Sequence, residues 1–206
     1  MVLALAAALC IHATGSARQL VTVDAASAHS TTATVRVYGR DGGCWRLVAG
    51  PWPARVGRNG LSAHHREGDG TTPLGTFRIG SVAYGVAADP GTHLAYHVLV
   101  CGDWWDEDPA SPTYNRFRHV RCGASPPFHG GSEALWLETG AYAHFAVIEY
   151  NASPAVPGRG SAIFIHVDVG RPTNGCVSLS ARDLVELLRL LRPADAPAVS
   201  IRLRAG

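Results

Sequence analysis

Glycine and proline punctuate this chain so often, 23 and 13 of them with no period, that few stretches are long enough for a helix. Glycine loses the most conformational freedom on folding and proline lacks an amide donor, so each tends to end regular structure. What lies between them follows the two-residue rhythm of a half-buried strand. Residues 32–40 (TATVRVYGR) do so, and end in an Asp41-Gly42-Gly43 turn that predicts a hairpin with residues 44–48. Residues 94–101, 142–150, 162–169 and 198–203 read as further strands, rich in β-branched and aromatic side chains. A single helix is predicted at about 181–192. Ser180 and Asp183 form its capping pair, Leu184, Leu187, Leu188 and Leu191 share one face, and Pro193 stops it. The expected fold is mainly β with one C-terminal amphipathic helix.

With 206 residues, 47% of them apolar, the chain can bury a core and suits one domain. A net charge of +2 is too mild to argue for a nucleic-acid partner. All basic residues are arginine, so lysine-based nucleophilic or Schiff-base chemistry is excluded. Residues 1–11 form an apolar run too short to span a bilayer, with small and polar residues after it. Residues 1–17 therefore read as a secretory leader, although the usual basic start is missing. Residues 18–30 are small and polar and read as a tail or linker, leaving 31–206 as the folded domain. No later segment suits a membrane span. Five cysteines are present, and if Cys10 leaves with the leader four remain. Cys101 and Cys122 bracket a Trp-, Asp- and Pro-rich segment and are the expected disulfide of an oxidising compartment. Cys44 is then left unpaired, as a small buried apolar residue.

The most informative run is Phe164 to Cys176, FIHVDVGRPTNGC. A strand delivers His166, a Gly170/Pro172 turn reverses the chain, and Thr173-Asn174-Gly175-Cys176 follows. Thiol acyl transfer needs a nucleophilic sulfur, an imidazole to take its proton and donors for an oxyanion, here amides near Gly175 and Cys176. Pairing with the imidazole is expected to lower the thiol pKa. A buried core cysteine beside a hydrogen-bonded histidine fits the same spacing equally well.

The words REGDGTTPLGTF (66–77), DPASPTYNR (108–116), AVIEYN (146–151), PGRGSAIFIH (157–166) and TNGCVSL (173–179), in this order, resemble the YkuD-type L,D-transpeptidase family in its short secreted subgroup. The resemblance implies a β-sandwich or partly closed barrel, with Cys176 as nucleophile, His166 as general base and Gly175 in the nucleophile loop. It assigns Arg159 and Ser161 to the approach to the site, and Tyr114, Asn115, Tyr150, Asn151, Asn174 and Ser178 to its lining or bracing. It implies 3→3 cross-linking of peptidoglycan tetrapeptide stems outside the cytoplasm, or L,D-carboxypeptidase activity when water is the acceptor. No metal or organic cofactor is expected, and a monomer is. Three positions depart from the family pattern. Asn174 replaces a histidine, Ser178 replaces a frequent Arg or Asn, and the gap between His166 and Cys176 is short.

Two rivals belong to other classes. A non-catalytic wall-binding module would explain Asn174 and Ser178. A metal-dependent peptidase would use His64, His65 and Asp69, but adjacent histidines on a strand point to opposite faces. Trp104, Trp105 and the acids from Asp103 to Asp108 form a loop expected to pack on its own domain.

Overall fold

The structure, a computed structural model, describes residues 11–12 and 16–204. The large sheet consists of β1 (Gln19–Ala25), β2 (Thr32–Asp41), β3 (Cys44–Arg55), β4 (Gly75–Gly85), β5 (Ala95–Val98), β6 (Phe145–Ile148), β7 (Phe164–Val167), β8 (Val177–Leu179) and β9 (Ala198–Leu203). The order is β3-β8-β7-β6-β4-β9-β1-β2. The β2–β3 hairpin pairs the two ends, so the strands close a ring of hydrogen bonds that is not a barrel. β5 hangs in parallel on β4, and Ile11–His12 pairs antiparallel with β3. The fold is thus mainly β, with one C-terminal helix, α1 (Ala181–Leu190). No helix among the described residues is long and apolar enough to cross a membrane.

The helix forms for the expected reasons. Ser180 Oγ accepts the Asp183 amide at 3.2 Å, and Leu184, Leu187 and Leu188 are fully buried against the sheet. It stops two residues earlier than the leucine pattern predicts. Leu191 is already extended, because the residue two before Pro193 turns out of the helix.

Two expectations are corrected. Gln19–Ala25 is an interior strand, not a tail. It pairs in parallel with β9 and antiparallel with β2, and Val21, Val23 and Ala25 are fully buried. Its polar face is neutralised where Asp24 accepts Arg202 Nε at 2.7 Å and Arg36 Nη1 at 3.2 Å. Cys44 is disulfide-bonded, not a free apolar residue. The leader expected over 1–17 falls mostly outside the described residues.

Cys101 and Cys122 form the expected disulfide, with Cα atoms 5.2 Å apart. The segment between and beyond them folds into a cap. Asp103–Asp106 lies between Arg116–His119 and Glu133–Ala134 in a three-stranded sheet. Its fully buried carboxylates hold it together. Asp103 accepts His119 Nδ1 at 2.7 Å and His97 Nε2 at 2.8 Å, and Asp106 accepts Thr113 Oγ1 at 2.6 Å. Trp105 packs edge-on against Phe164 at 4.9 Å, so the acidic aromatic loop does pack on its own domain. The cap covers a second apolar cluster of Trp105, Leu135, Tyr142, Phe145 and Phe164, with Cys176 at its edge.

Candidate active site

Strand alternation sets the two central residues. On β7, Ile165 enters the main core, while Phe164 and His166 face the cap. β8 runs parallel to β7 with Ile165 opposite Val177 and His166 opposite Ser178, so Cys176 lies at the level of Phe164 just before β8 begins. Its sulfur accepts the Phe164 amide at 3.3 Å and donates to the Ala162 carbonyl at 3.2 Å. The loop before it is tied to residues 56–58, with Thr173 N on Val56 O at 3.0 Å and Arg58 N on Thr173 O at 2.8 Å. Gly175 has φ 143°, a conformation that favours glycine, and a Cβ there would make a tight 3.0 Å contact with the Thr71 carbonyl.

The resting sulfur is a thiol. Burial pushes the Cys176 pKa far above its ordinary value, and the Glu133 and Glu107 carboxyls push it further. This corrects the expected lowering, because the S–H is directed to a carbonyl rather than paired with a cation. Burial likewise holds His166 below the usual histidine range, so its ring is neutral. His166 Nδ1 lies 2.8 Å from the Val167 carbonyl, an acceptor only, so Nδ1 carries the proton and Nε2 keeps its lone pair. The edge of the His166 ring packs against Tyr142, 5.8 Å between centroids. Alkylation of Cys176 by iodoacetamide at pH 7 should be at least about tenfold slower than that of an unperturbed thiol, and should still be rising above pH 9. Peptide mapping of the alkylated protein across pH measures this, and a plateau below pH 8 would contradict it.

Two cavities meet at Cys176. One, of about 430 Å³, is lined by His166, Tyr142 and Thr173 as well as Cys176. The other, of about 370 Å³, is lined by Glu67, Glu107, Ser161 and Cys176, and not by His166. Glu133, Arg58 and Asn174 line both. Burial and the neighbouring Glu133 and Glu67 carboxyls push Glu107 up to about 9. Burial also raises Glu133, which accepts the Tyr142 hydroxyl.

The structure brings Cys176, His166, Gly175, Asn174 and Ser161 together. Asn174 is exposed and accepts Arg58 Nη1, and Ser161 Oγ donates to Glu67 Oε2 at 2.7 Å. The Gly175 amide is occupied, donating to Thr173 Oγ1 at 3.1 Å, which corrects its expected place among the oxyanion donors. Ser178, expected to contact substrate, is 1% exposed between neighbouring strands, out of reach of a ligand, and its Oγ has no partner among the described residues.

Asn115 is a brace rather than a substrate contact. Its Oδ1 accepts Trp105 Nε1 and Ala162 N, and its Nδ2 donates to the Tyr150 and Asn151 carbonyls. Asn151 similarly spends its amide on Val156 and Gly160, shaping the 151–161 loop. Tyr150 holds the Arg159 carbonyl at 2.6 Å, and buried Tyr114 donates to Glu67. Arg159 is exposed on that loop.

Asp69, proposed as a metal ligand, spends both oxygens on its own loop through Thr71 and Arg66. His64 is exposed while His65 is buried, and no metal-holding group of acids, histidines and cysteines occurs among the described residues. Glu133 and Tyr142 went unnoticed in the sequence because an isolated Glu and an isolated Tyr carry no spacing signal.

Residues 18–201 match the family model described as YkuD, L,D-transpeptidase catalytic domain. Among solved structures, the helical cell shape determining protein Pgp2 from Campylobacter jejuni is similar, with 14% identity and a TM-score of 0.47, over 96% of this chain and 52% of that one. The chain thus spans about half the length of Pgp2. No curated protein matches the sequence.

Proposed function

The chain belongs to the YkuD family of L,D-transpeptidase catalytic domains, enzymes of peptidoglycan, and on that premise we propose that it transfers the acyl group of tetrapeptide stems through a thioester on Cys176. His166 Nε2 takes the thiol proton as the sulfur attacks the carbonyl of the third residue. The C–N bond to the terminal D-alanine breaks, and His166 returns the proton to the leaving amine. An acceptor amine then attacks the thioester, giving up a proton through His166. The new amide is a 3→3 cross-link, and the thiol is regenerated. The Cys176 amide is the oxyanion donor in this reading, since that of Gly175 is occupied.

One observation carries the reading: Cys176, the free cysteine among the described residues, opens onto the same cavity as a neutral histidine whose Nε2 is the unprotonated nitrogen. Starting from a neutral thiol and a neutral imidazole, the ion pair forms only as the sulfur attacks, so the resting enzyme resists nonspecific alkylation. The Cys101–Cys122 disulfide supports an extracytoplasmic location. The test is product analysis with a tetrapeptide stem. D-Alanine should be released in either case, with 3→3 dimer formed when an acceptor stem is supplied and tripeptide when water is the only acceptor. Release of no D-alanine by the folded protein would overturn the proposal.

A further inference from the structure

We infer that Glu107 donates its carboxyl O–H to the oxygen of the carbonyl under attack, as the second donor of the oxyanion site. The inference rests on the thioester reading above, and the need for it comes from the nucleophile loop. A carbonyl oxygen turning into an oxyanion has more than one lone pair to satisfy, and a single main-chain donor serves only one of them. The neighbouring amide, Gly175 N, is spent on Thr173 Oγ1, whose own proton goes to the Cys176 carbonyl at 2.6 Å. A second donor therefore has to come from across the cleft. The leaving amine takes its proton from His166 and so lies in the cavity that His166 lines. The carbonyl oxygen points away from that amine, towards the other space at Cys176, whose walls include Glu107.

The cap holds Glu107 in place. Its amide donates to Ser132 Oγ at 3.0 Å, and the Asp106 carbonyl before it accepts the Asn115 amide at 2.6 Å. Its carboxyl group is close enough to the sulfur to act on the charge there. Glu107 Oε1 is buried with no hydrogen-bond partner among the described residues, a costly state for a carboxyl group and one that a substrate oxygen relieves. The groups facing it are Glu67 and His65 from the loop before residue 72, Glu133 from the cap's last strand, Asp106 beside it in the chain, Arg58 after β3, and Cys176. Glu67 already accepts Ser161 Oγ and the Tyr114 hydroxyl, and Glu133 accepts the Tyr142 hydroxyl. Burial, with the Glu133 and Glu67 carboxyls, pushes Glu107 up to about 9, so at neutral pH it is a donor and not a further negative charge. As the sulfur bonds to the carbonyl carbon, the C=O π pair moves to oxygen, and Glu107 stabilises it without giving up its proton. The pair returns to re-form the C=O bond as the C–N bond breaks, and the amine leaves with the proton that His166 carries.

The experiment measures D-alanine release from a tetrapeptide stem by the parent, Glu107→Gln and Glu107→Met proteins. Glutamine keeps both the side-chain volume and an N–H donor, whereas methionine keeps only the volume. Glu107→Met should lower kcat about 10²- to 10³-fold with KM close to that of the parent, the usual cost of one oxyanion donor. Glu107→Gln should lose less than about tenfold. Thermal unfolding separates this role from a structural one. Methionine removes a buried, unpaired carboxyl group, so Glu107→Met should unfold at no lower temperature than the parent while being the slowest of the three. Parental kcat in Glu107→Met would overturn the inference, and so would equal slowing of the two folded variants, which is what a need for the ionised carboxylate predicts. A loss of about 10²-fold in folded Glu107→Gln overturns it without recourse to the methionine protein. These failures leave the thioester chemistry standing, whereas no release by the parent would count against the proposed function.

Discussion

Cys176→Ala protein should release D-alanine from a tetrapeptide stem at least about 10⁴-fold more slowly than the parent, because losing the nucleophile removes the covalent route entirely. The comparison is informative only if the variant folds, and the structure indicates that it does. The sulfur sits at the edge of the second apolar cluster rather than at the centre of the main core. Its removal leaves the Phe164 amide and the Ala162 carbonyl without their sulfur partner, a cost of about 1–3 kcal/mol. D-Alanine assay of the two proteins at matched concentration, with circular dichroism to confirm folding, measures the effect. Peptide binding that survives the substitution is expected, since the other residues lining the two cavities are untouched. A wall-binding module without activity predicts the same binding but no release by the parent either.

His166→Gln should lower kcat/KM by about 10²- to 10⁴-fold, the usual contribution of a positioned acid–base group. The step depends on it more than in an enzyme whose cysteine rests as a thiolate, because here burial keeps the sulfur protonated and something must remove that proton. Glutamine can occupy the space beside Tyr142 but cannot take a proton. The loss should therefore appear mainly in kcat, with KM for the stem close to that of the parent, and alkaline pH should recover part of it by ionising the thiol directly. Steady-state kinetics from pH 6 to 10 would show this. A variant with parental kcat at pH 7 would remove His166 from the mechanism and leave neutral, buried His65, on the wall of the neighbouring cavity, as the group to test.

How much of this could be read beforehand follows physical lines. The C-terminal helix was legible because capping and a leucine face are local signals, and its early end shows the reach of Pro193. The β2–β3 hairpin was legible from its alternation and its Asp-Gly-Gly turn. β1 was hidden because Thr22 and Asp24 make it look polar, and only the arginines of β2 and β9 explain why a carboxylate belongs there. β4 was hidden by its three glycines, one of which, Gly85, admits the Ala143 carbonyl and the Tyr96 hydroxyl where a Cβ would clash at 2.2 Å.

At the site, His166 and Cys176 stood out because they share one strand–turn segment. The residues around them come from elsewhere. Glu67 arrives from the loop before residue 72, Glu107 from the cap, and Glu133 from the cap's last strand, so no spacing in the chain announces that they meet. The state of the thiol was misread for the same reason. A histidine nearby in sequence implied an ion pair, whereas the sulfur's partners are main-chain groups of residues 162 and 164.

The most direct measurement is an acid-quenched single turnover of a tetrapeptide stem, read by intact mass and peptide mapping. The account predicts a tripeptidyl adduct on the Cys176-containing peptide, labile to hydroxylamine as a thioester is, and absent from the Cys176→Ala protein. Equal release of D-alanine by parent and Cys176→Ala protein, with no adduct on either, would contradict it.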